Sequence, residues 1–476
     1  MENKWIVILP EIIMTLGGLV IFSIGAFGRQ RKGTSLFFLT LIFLAGAILS
    51  LFLIPSSDSF LSGMLKNDGY SRVFTILIAA IAFVCVLFSS QYARDRGFEN
   101  DAYYGILLFA ALGMVLAAGA VNWLIFFLGL ELFSISLYIL IAIRRDDPFD
   151  GEAGIKYLVT GAVAGAFLVF GIALWYAGTG SLSIFIRPAQ DAGAMDIPLM
   201  MASITLILIG IGFKISMVPF HLWTPDVYQG SPAPVTAFLA TGSKVAVFAF
   251  FIRFCMDMQP PLWEVFKPVL WLMAFLTLVV GTVTALSQFT IKRLLAYSSV
   301  AQMGFLIMTL LAVKIAGGPF AIAFYLLVYA AMDLGAFGII ASFSEKKEDR
   351  DHLEAYEGLG YSYPWRSAVL TLCLLSLAGL PPTAGFVGKV LIFKSVLQAG
   401  EVSIAVTAIV MSILSIYLYM KVVAALYMKP ETSTGVAAAG IFEKTAAGLI
   451  FIFILWAGIA PSPLLRLIGR LIPAGG

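Results

Sequence analysis

Four ionisable side chains interrupt long apolar runs, at positions where a lipid bilayer would exclude charge. Glu131 lies in NWLIFFLGLELFSISLYIL, Lys214 in SITLILIGIGFKISMVP, Lys244 in VTAFLATGSKVAVFAFF and Lys389 in LAGLPPTAGFVGKVLIF. A charge at the centre of a membrane-spanning helix costs ~2.5–3.5 kcal/mol on insertion scales. Groups this costly are expected to have a function, and these residue types favour a path for protons or ions.

Such a path requires groups that change protonation. Burial favours the neutral forms of lysine and glutamate, whereas a nearby opposite charge favours their charged forms. A pair formed by Glu131 and Lys214 would therefore change protonation when it opens, and the two groups would titrate together. Nearby hydroxyl groups are expected to hold chains of water: Ser134, Ser136, Ser216, Thr236, Thr241, Ser243 and Thr383.

Three further polar residues are candidates for the same path. His221, in PFHLWTPD, is either a structural hydrogen-bonding group or a relay, because histidine titrates near neutral pH. Asp333, in YAAMDLGAFG, is either a relay group or the counter-ion of one lysine. Lys292 lies at a predicted helix end, where a positively charged anchor is the simpler interpretation. A structural alternative applies to the whole set, which would then form fixed ion pairs in a membrane scaffold.

The chain as a whole has the composition of a membrane protein. Of its 476 residues, 61% are hydrophobic and only 12% are charged, and the mean hydropathy is +0.98. A soluble protein keeps about 25% charged residues. Runs such as 36–54 and 72–90 are unbroken and have nearly the ~20 residues that a membrane-spanning helix needs. The predicted fold class is an all-α polytopic membrane protein.

Redox and nucleotide chemistry on this chain are not predicted. The three cysteines, Cys85, Cys255 and Cys373, lie in or beside apolar runs, whereas an iron–sulfur cluster usually needs four cysteine ligands. The sequence has no CxxC pair, no P-loop and no GxGxxG motif after a strand. We therefore expect no cofactor or metal on this chain, and the net charge of +3 does not indicate nucleic acid.

Fourteen membrane-spanning helices are predicted. The first apolar run lacks a small-residue cleavage pattern and is interpreted as a span, not as a signal peptide. Prolines are expected to break the seventh helix at Pro219 and the twelfth at Pro381-Pro382, because proline removes a backbone donor. The predicted spans are residues 5–27, 36–54, 72–91, 103–119, 121–143, 155–177, 199–218, 232–255, 268–289, 293–313, 319–343, 366–397, 402–427 and 443–469.

The spans fall into four groups. Residues 1–92 hold three helices, residues 103–255 and 268–427 hold five each, and residues 443–476 hold the last. In both five-helix groups proline breaks the fourth helix near a lysine, and an odd number of spans inverts one group relative to the other. Inverted repeats with broken helices are common in ion-coupled transporters. Lysine and arginine are concentrated after odd-numbered spans, which predicts cytoplasmic loops there and both termini outside.

Three segments carry a family resemblance: residues 212–248 (GFKISMVPFHLWTPDVYQGSPAPVTAFLATGSKVAVF), 291–305 (IKRLLAYSSVAQMGF) and 377–393 (LAGLPPTAGFVGKVLIF). They resemble motifs of the antiporter-like membrane subunits of respiratory complex I, the NADH–quinone oxidoreductase, and the resemblance extends over nearly the whole chain. It implies a buried proton path that includes Glu131, Lys214, Lys244 and Lys389. It also implies that His221 and Lys292 lie on the central hydrophilic axis.

The resemblance implies a function as well. The chain would move a proton from the cytoplasm to the outside, as a non-redox subunit of a complex in the bacterial plasma (inner) membrane. NADH, flavin, iron–sulfur clusters and quinone are expected in partner subunits. The expected partners are other membrane subunits, including antiporter-like sister subunits, within the lipid bilayer.

Details of the sequence favour one of the sister subunits over the others. The chain ends soon after the last predicted span, residue 389 is a lysine and not a glutamate, and Asp333 stands where another sister has histidines. Two alternatives of related fold stay open. One is a subunit of a cation/proton antiporter, and the other is a subunit of a complex linked to ferredoxin, hydrogenase or deazaflavin chemistry.

Overall fold

The computed structural model describes residues 4–27, 33–54, 58–185, 196–344, 349–430, 436 and 438–472. Within them, nearly all regular structure is helical. The α-helices are α1 (Leu9–Phe27), α2 (Gly33–Ser50), α3 (Gly69–Asp95), α4 (Asp101–Gly119), α5 (Trp123–Ile141), α6 (Pro148–Thr179), α7 (Ile197–Lys214), α8 (Trp223–Gly230), α9 (Ala233–Phe238), α10 (Lys244–Asp257), α11 (Pro260–Leu286), α12 (Ile291–Leu310), α13 (Gly318–Phe343), α14 (Leu359–Ser362), α15 (Pro364–Ala378), α16 (Ala384–Gln398), α17 (Val402–Met428), α18 (Ile441–Ile459) and α19 (Ser462–Leu471).

Short non-helical and irregular segments connect these helices. Two strands, β1 (Asp58–Phe60) and β2 (Leu65–Asn67), form an antiparallel hairpin in which Ser59 lies opposite Lys66. A π-helical turn, Leu239–Ser243, joins α9 to α10 without interrupting the span. Such turns are rare and are frequently found at functional sites.

The helices account for the predicted spans. In the described part of the chain, twelve helices are long and apolar enough to cross a membrane, and α2 and α15 contain shorter apolar segments. α15 and α16 together form the broken twelfth span. Each of the fourteen predicted spans therefore corresponds to a helix or to a broken helix, and the polytopic all-α class is confirmed. The domain boundaries and the repeat stay predictions.

Two predicted helix starts are too late. α6 begins at Pro148, not at residue 155, and α11 begins at Pro260, not at residue 268. Proline suits the first turn of a helix, where its missing N–H is not needed. At α6 the side chain of Asp147 also accepts a hydrogen bond from the Phe149 N–H at 3.0 Å, which caps the helix. Pro268, predicted to start a helix, therefore lies inside α11.

The prediction of one continuous helix from residue 443 to 469 is wrong. α18 ends at Ile459, and the separate helix α19 begins at Ser462. The intervening Pro461 lacks a backbone donor and is followed by a second proline at position 463. α19 is a surface helix, because Leu464 and Ile468 are buried while the arginines between and after them are exposed.

Glycines allow two helix pairs to pack in backbone contact. A Cβ atom on Gly113 of α4 would lie 2.6 Å from a backbone nitrogen of α5, and one on Gly129 of α5 would lie 2.7 Å from a backbone nitrogen of α4. Gly281 of α11 and Gly304 of α12 create the same contact between their helices, at 2.6 and 2.7 Å. Small residues permit this close approach in membranes. The two pairs begin the two predicted five-helix groups.

We expect Gly113→Ala to lower the amount of folded protein in the membrane. The added methyl group would collide with the backbone of α5 and force α4 and α5 apart. The matched control is Gly151→Ala in α6, where an added Cβ meets no described atom within 4 Å. Alanine is favoured over glycine in a helix by about 0.5–1 kcal/mol, so the control should be neutral or stabilising. Quantitative blotting and thermal unfolding in detergent measure both. Equal behaviour of the two variants would contradict the packing argument.

Candidate functional site

Lys214 ends α7 at a break in the seventh span. Its side chain is 1% exposed, and its Nζ donates to Ser134 Oγ at 2.7 Å and more weakly to the Tyr138 hydroxyl at 3.4 Å. Aromatic rings of α5, α6 and α7 surround the ammonium group, the nearest being Tyr157 at 5.3 Å from the ring centroid. The cation is therefore held by neutral oxygens and ring faces, which leaves it free to lose a proton without separating a tight ion pair.

The chain continues past Lys214 without a helical turn. Ser216 has a positive φ of 59°, a backbone conformation that is unfavourable for residues other than glycine. Its hydroxyl accepts a hydrogen bond from Thr224 Oγ1 at 2.9 Å, and the indole N–H of Trp223 donates to the Phe213 carbonyl at 3.0 Å. Hydrogen bonds from α8 thus satisfy polar groups that the end of α7 leaves free, as buried breaks require.

Glu131 lies on α5 and acts on Lys214 at a distance, without direct contact. The two residues form no ion pair within the described residues, so the predicted Glu131–Lys214 pair is not closed in this structure. Instead the carboxylate faces α6, where a Cβ on Gly165 would lie 3.2 Å from Glu131 Oε1. It lines a surface cleft of about 570 Å³ between α5 and α6, together with small residues such as Ala162 and Ala166.

Three polar residues of α5 nevertheless form one stripe. Glu131, Ser134 and Tyr138 are three and four residues apart, a spacing that places side chains on the same side of a helix. Lys214 contacts the last two, so the glutamate is one helical turn from the oxygen that binds the ammonium group. The Glu131 charge therefore interacts with Lys214 across this one turn.

Lys244 begins a chain of hydrogen bonds across three helices. It follows the π-helical turn, is 0% exposed, and donates to Ser299 Oγ of α12 at 2.5 Å. Ser299 Oγ and the Tyr329 hydroxyl of α13 are 2.7 Å apart, and that hydroxyl lies 3.0 Å from Asp333 Oδ2. The structure therefore brings the predicted residue Asp333 into the same polar group as Lys244.

Lys389 binds the end of the other broken helix. Its Nζ donates to the Ala378 carbonyl, the last of α15, and to Ser412 Oγ of α17, both at 2.9 Å. A helix C-terminus carries partial negative charge, so it is a favourable place for an ammonium group. Gly379 makes the contact possible, because a Cβ there would lie 2.7 Å from Lys389 Cδ. Lys389 follows the break in the twelfth span, whereas Lys214 precedes the break in the seventh span.

Several polar residues between Lys244 and Lys389 were not predicted. Gln302 donates to the Leu377 carbonyl at 3.1 Å and accepts from the Tyr325 hydroxyl at 2.5 Å. Ser298, next to Ser299, pairs with the Tyr419 hydroxyl at 2.5 Å. Their signal in the sequence is weak, because serine and tyrosine carry no formal charge and are common in membrane helices. The available signal was SSVAQ in α12, which puts three polar groups within five residues.

The other predicted hydroxyls and His221 are less closely connected. Apart from Ser134, most of the predicted hydroxyls donate to backbone carbonyls, namely those of Ser136, Thr241, Ser243 and Thr383. Ser216 accepts from Thr224, and Thr236 pairs with Ser231. His221 lies in the seventh-span break, 6.3 Å edge-on from the ring of Tyr297. Its Nδ1 has no hydrogen-bond partner among the described residues. Its role in a relay stays a prediction.

Lys292 belongs to an ionic cluster at the predicted cytoplasmic face. Its Nζ donates to Asp349 Oδ2 at 2.6 Å and to the Ser231 carbonyl at 3.2 Å. Asp349 also pairs with Arg96 at 2.6 Å and accepts from the Tyr92 hydroxyl at 2.8 Å. Burial opposes ionisation of Asp349, but Lys292 and Arg96 hold the pKa of its carboxyl well below its usual value. These contacts favour an anchoring role for Lys292, and its place in a proton path stays a prediction.

The ionic cluster lies in a large polar cleft. The cleft has a volume of about 1610 Å³ and is lined by charged residues that follow α3, α5, α7, α11 and α13. All of these segments follow odd-numbered spans, so the predicted cytoplasmic loops meet on one face. Arg293 also lines this cleft and pairs with Asp226 at 2.7 Å. Among the described residues, no group of three His, Cys, Asp or Glu side chains is arranged to hold a metal ion.

The fold and the buried lysines define a class of proton- or ion-translocating membrane subunit. The family model for the transmembrane region of NADH:quinone oxidoreductase and Mrp antiporter subunits matches residues 120–415, which contain Glu131, Lys214, Lys244 and Lys389. The chain belongs to this family. The resemblance predicted from three sequence segments is thus confirmed.

Individual relatives are more specific. The chain is 46% identical to NADH-quinone oxidoreductase subunit N 1 of Solidesulfovibrio magneticus over 83% of this chain and 85% of that protein. It is 41% identical to NADH-quinone oxidoreductase subunit N of Geotalea uraniireducens over 98% of both. A chain in the solved structure of respiratory complex I from Thermus thermophilus with bound aureothin is 35% identical, with a TM-score of 0.82 over 96% of this chain and 98% of that chain.

We expect Gly379→Ala to impair proton pumping in the assembled complex. The added Cβ would displace Lys389 from the Ala378 carbonyl. A hydrogen bond to a charged group contributes about 1.5–3 kcal/mol, so the pumping rate should fall by about tenfold or more. Pumping is measured as acidification of sealed vesicles.

Gly400→Ala is the matched control for this variant. Gly400 has a φ of 79°, close to the 82° of Gly379, but an added Cβ meets no described atom within 4 Å. Both variants therefore bear the same backbone strain of about 1–2 kcal/mol. Only Gly379→Ala should lose pumping at normal assembly. A similar loss in both would show that the strain, and not the contact with Lys389, is responsible.

We expect Asp349→Asn to lower the unfolding temperature at neutral pH. Removing one partner of a buried ion pair costs about 3–5 kcal/mol, because the remaining charges lose their compensation. The depressed pKa means that Asp349 stabilises the fold above its unfolded pKa of about 3.9 and that this stability is lost as the pH falls through the folded pKa. The variant and the wild type should therefore differ at neutral pH and converge in strong acid.

The control for this variant is Glu357→Gln. Glu357 pairs with Lys429, whose side chain is 56% exposed, and exposed pairs contribute about 0–1 kcal/mol. Its unfolding temperature should match that of the wild type. The anchoring role of Asp349 would be contradicted if Asp349→Asn unfolded at the wild-type temperature at neutral pH.

Proposed function

We propose that this chain is a proton-translocating subunit of a bacterial NADH–quinone oxidoreductase, without redox chemistry of its own. The observation that carries the proposal is the set of three lysines buried inside membrane spans, each bound by neutral oxygens. Lys214 and Lys244 bind hydroxyl groups, and Lys389 binds a hydroxyl and a helix-end carbonyl. Three structural ammonium groups would be expected to have tight carboxylate partners, because an unpaired buried charge is costly.

Proton movement would follow from changes of charge around these lysines. An approaching anion favours the ammonium form and a departing anion favours the neutral amine. Glu131 is one helical turn from the oxygen that binds Lys214, so its side-chain position and charge control the first lysine. The hydroxyls of Ser299 and Tyr329 and the group around Gln302 lie between Lys244 and Lys389. In this mechanism a proton is loaded from the cytoplasm and released outside.

Neighbouring membrane subunits would supply the signal. Glu131 opens into a cleft at the surface of α5 and α6, inside the apolar belt, where lipid tails would solvate a carboxylate poorly. A partner helix packed into the small residues of this cleft would cover it and bring its own charges near. Antiporter-like sister subunits are the proposed partners. NADH, flavin, iron–sulfur clusters and quinone would be bound by other subunits, which supply the driving redox reaction.

The proposed location is the bacterial plasma membrane, with the polar cleft on the cytoplasmic face and both termini outside. The excess of lysine and arginine after odd-numbered spans supports this orientation. A subunit of a cation/proton antiporter is the second candidate, since the matching family model covers Mrp antiporters too. Purification separates the two candidates. A co-purified flavoprotein arm with NADH oxidation supports the first, whereas cation exchange without electron transfer supports the second.

We expect Lys214→Ala and Lys244→Ala to abolish proton pumping by the assembled complex. Each removes a protonatable group from inside a membrane span, together with the ammonium donor that its hydroxyl ligand binds. Electron transfer and vesicle acidification are measured on the same preparation, with subunit content checked by blotting.

Lys394→Met is the matched control. Lys394 is a lysine of the broken twelfth span like Lys389, but it is exposed and outside the buried group. This variant should pump at the wild-type rate. Normal pumping by Lys214→Ala and Lys244→Ala would refute the proposed proton path and favour a structural scaffold.

A further inference from the structure

Asp333 is a buried carboxylate that the proposed mechanism does not yet use. It lies in the interior of α13 and is 0% exposed. Its Oδ2 is 3.0 Å from the Tyr329 hydroxyl, while its Oδ1 has no hydrogen-bond partner among the described residues. A carboxylate at this depth with one oxygen unbonded is poorly compensated by hydrogen bonds alone. It requires a positive charge nearby or a proton of its own.

Lys244 is the basic group that faces Asp333. Among the described residues, each is the charged group with which the other interacts electrostatically. The other titratable groups that face Asp333 in the described part of the chain are phenols and a thiol: Tyr228 of α8, Tyr329 of α13, Cys373 of α15 and Tyr419 of α17. Phenols and thiols are neutral at physiological pH, so they supply no counter-charge.

Two hydroxyls connect the lysine to the carboxylate. Lys244 Nζ donates to Ser299 Oγ at 2.5 Å, and Ser299 Oγ is 2.7 Å from the Tyr329 hydroxyl. Tyr329 has one phenolic proton but two acceptors at 3.0 Å, Asp333 Oδ2 and the Ala240 carbonyl. Ala240 belongs to the π-helical turn, so the turn provides the alternative acceptor. When Tyr329 donates to Asp333, the chain is continuous from ammonium to carboxylate.

We propose that Asp333 is the counter-ion of Lys244, acting through the hydroxyls of Ser299 and Tyr329, and that it sets the proton affinity of this lysine. The proposal rests on the proposed function and deepens it. Along the chain, Lys244 gives a proton to Ser299, Ser299 gives its proton to Tyr329, and Tyr329 gives its proton to Asp333. Each hydroxyl gains one proton and loses one, and the ammonium–carboxylate pair becomes an amine and a carboxylic acid. The group stays neutral overall in both states, which lowers the cost of moving charge inside the membrane.

The test is the pH profile of proton pumping by the complete complex in vesicles. Asp333→Asn keeps an oxygen that accepts from Tyr329 but removes the negative charge that supports protonated Lys244. Loading Lys244 then needs a higher proton concentration, so the alkaline limb of the profile should move to lower pH by about one unit. A purely structural role in bonding Tyr329 would leave the limb in place, because the amide fulfils that role.

Two further variants keep the test decisive. Tyr329→Phe retains both charges and nearly the same volume but removes the hydroxyl that bonds Asp333, so it should shift the limb in the same direction by less. Ser342→Ala is the matched control in α13, because that hydroxyl only donates to the Ile339 carbonyl of its own helix, at 2.8 Å. Its profile should coincide with that of the wild type.

The outcomes separate this inference from the proposed function. A shifted limb in Asp333→Asn and Tyr329→Phe, but not in Ser342→Ala, supports the inference. A wild-type limb in an assembled Asp333→Asn complex, with pumping still dependent on Lys244, overturns the inference alone. If Asp333→Asn does not assemble, the limb of Tyr329→Phe decides in the same way. Normal pumping by Lys244→Ala overturns both proposals together.

Discussion

An ammonium group inside a bilayer needs oxygen ligands from the protein, because the hydrocarbon offers none. The rest of this structure follows from how those ligands are supplied. Lys214 takes hydroxyls of α5, Lys244 takes a hydroxyl of α12, and Lys389 takes the free carbonyl at the end of α15. In each case the ligand is neutral, which stabilises the cation without trapping its proton in a tight ion pair. A helix break lies beside Lys214 and beside Lys389, and a π-helical turn precedes Lys244.

The two broken spans solve this problem in different ways. In the seventh span Lys214 is itself the last residue before the break, and groups of α8 satisfy the backbone that is left free. In the twelfth span the free carbonyl of Ala378 is the ligand, and Lys389 reaches back to it from α16. Gly379 is needed between them because any side chain would occupy the path of the lysine. Both spans therefore contain a helix end inside the membrane. In the seventh span the helix ends at the lysine, and in the twelfth span the helix end binds the lysine.

The charged residues that lie outside the membrane spans have a different kind of partner. In the polar cleft Lys292 and Arg96 share Asp349 at 2.6 Å, and Arg293 pairs with Asp226. Here lysines and arginines have carboxylate partners, and the contacts join loops that are far apart in the chain. The lysines buried inside the spans therefore bind neutral oxygens, whereas the lysines and arginines of this cleft bind carboxylates. Asp333 is intermediate, since two hydroxyls stand between it and Lys244, and that separation suits a counter-ion that must not hold its lysine permanently.

The sequence by itself determined the class of the protein, the number of spans, the two proline breaks and the four charged positions. Each of these is a local property, since hydropathy adds up along a run and a charge in a run is costly wherever its helix packs. Helix caps and helix ends were harder to predict from the sequence, as the early start of α6 and the separate helix α19 demonstrate. The partners of each charge were decided only by the tertiary structure. Glu131 faces α6, and Lys292 pairs with Asp349. The hydroxyls of Ser299 and Tyr329 connect Lys244 to Asp333. Such pairings depend on the rotation and offset of helices that are distant in sequence. The hydropathy and charge of a single segment do not determine how that segment is oriented against another.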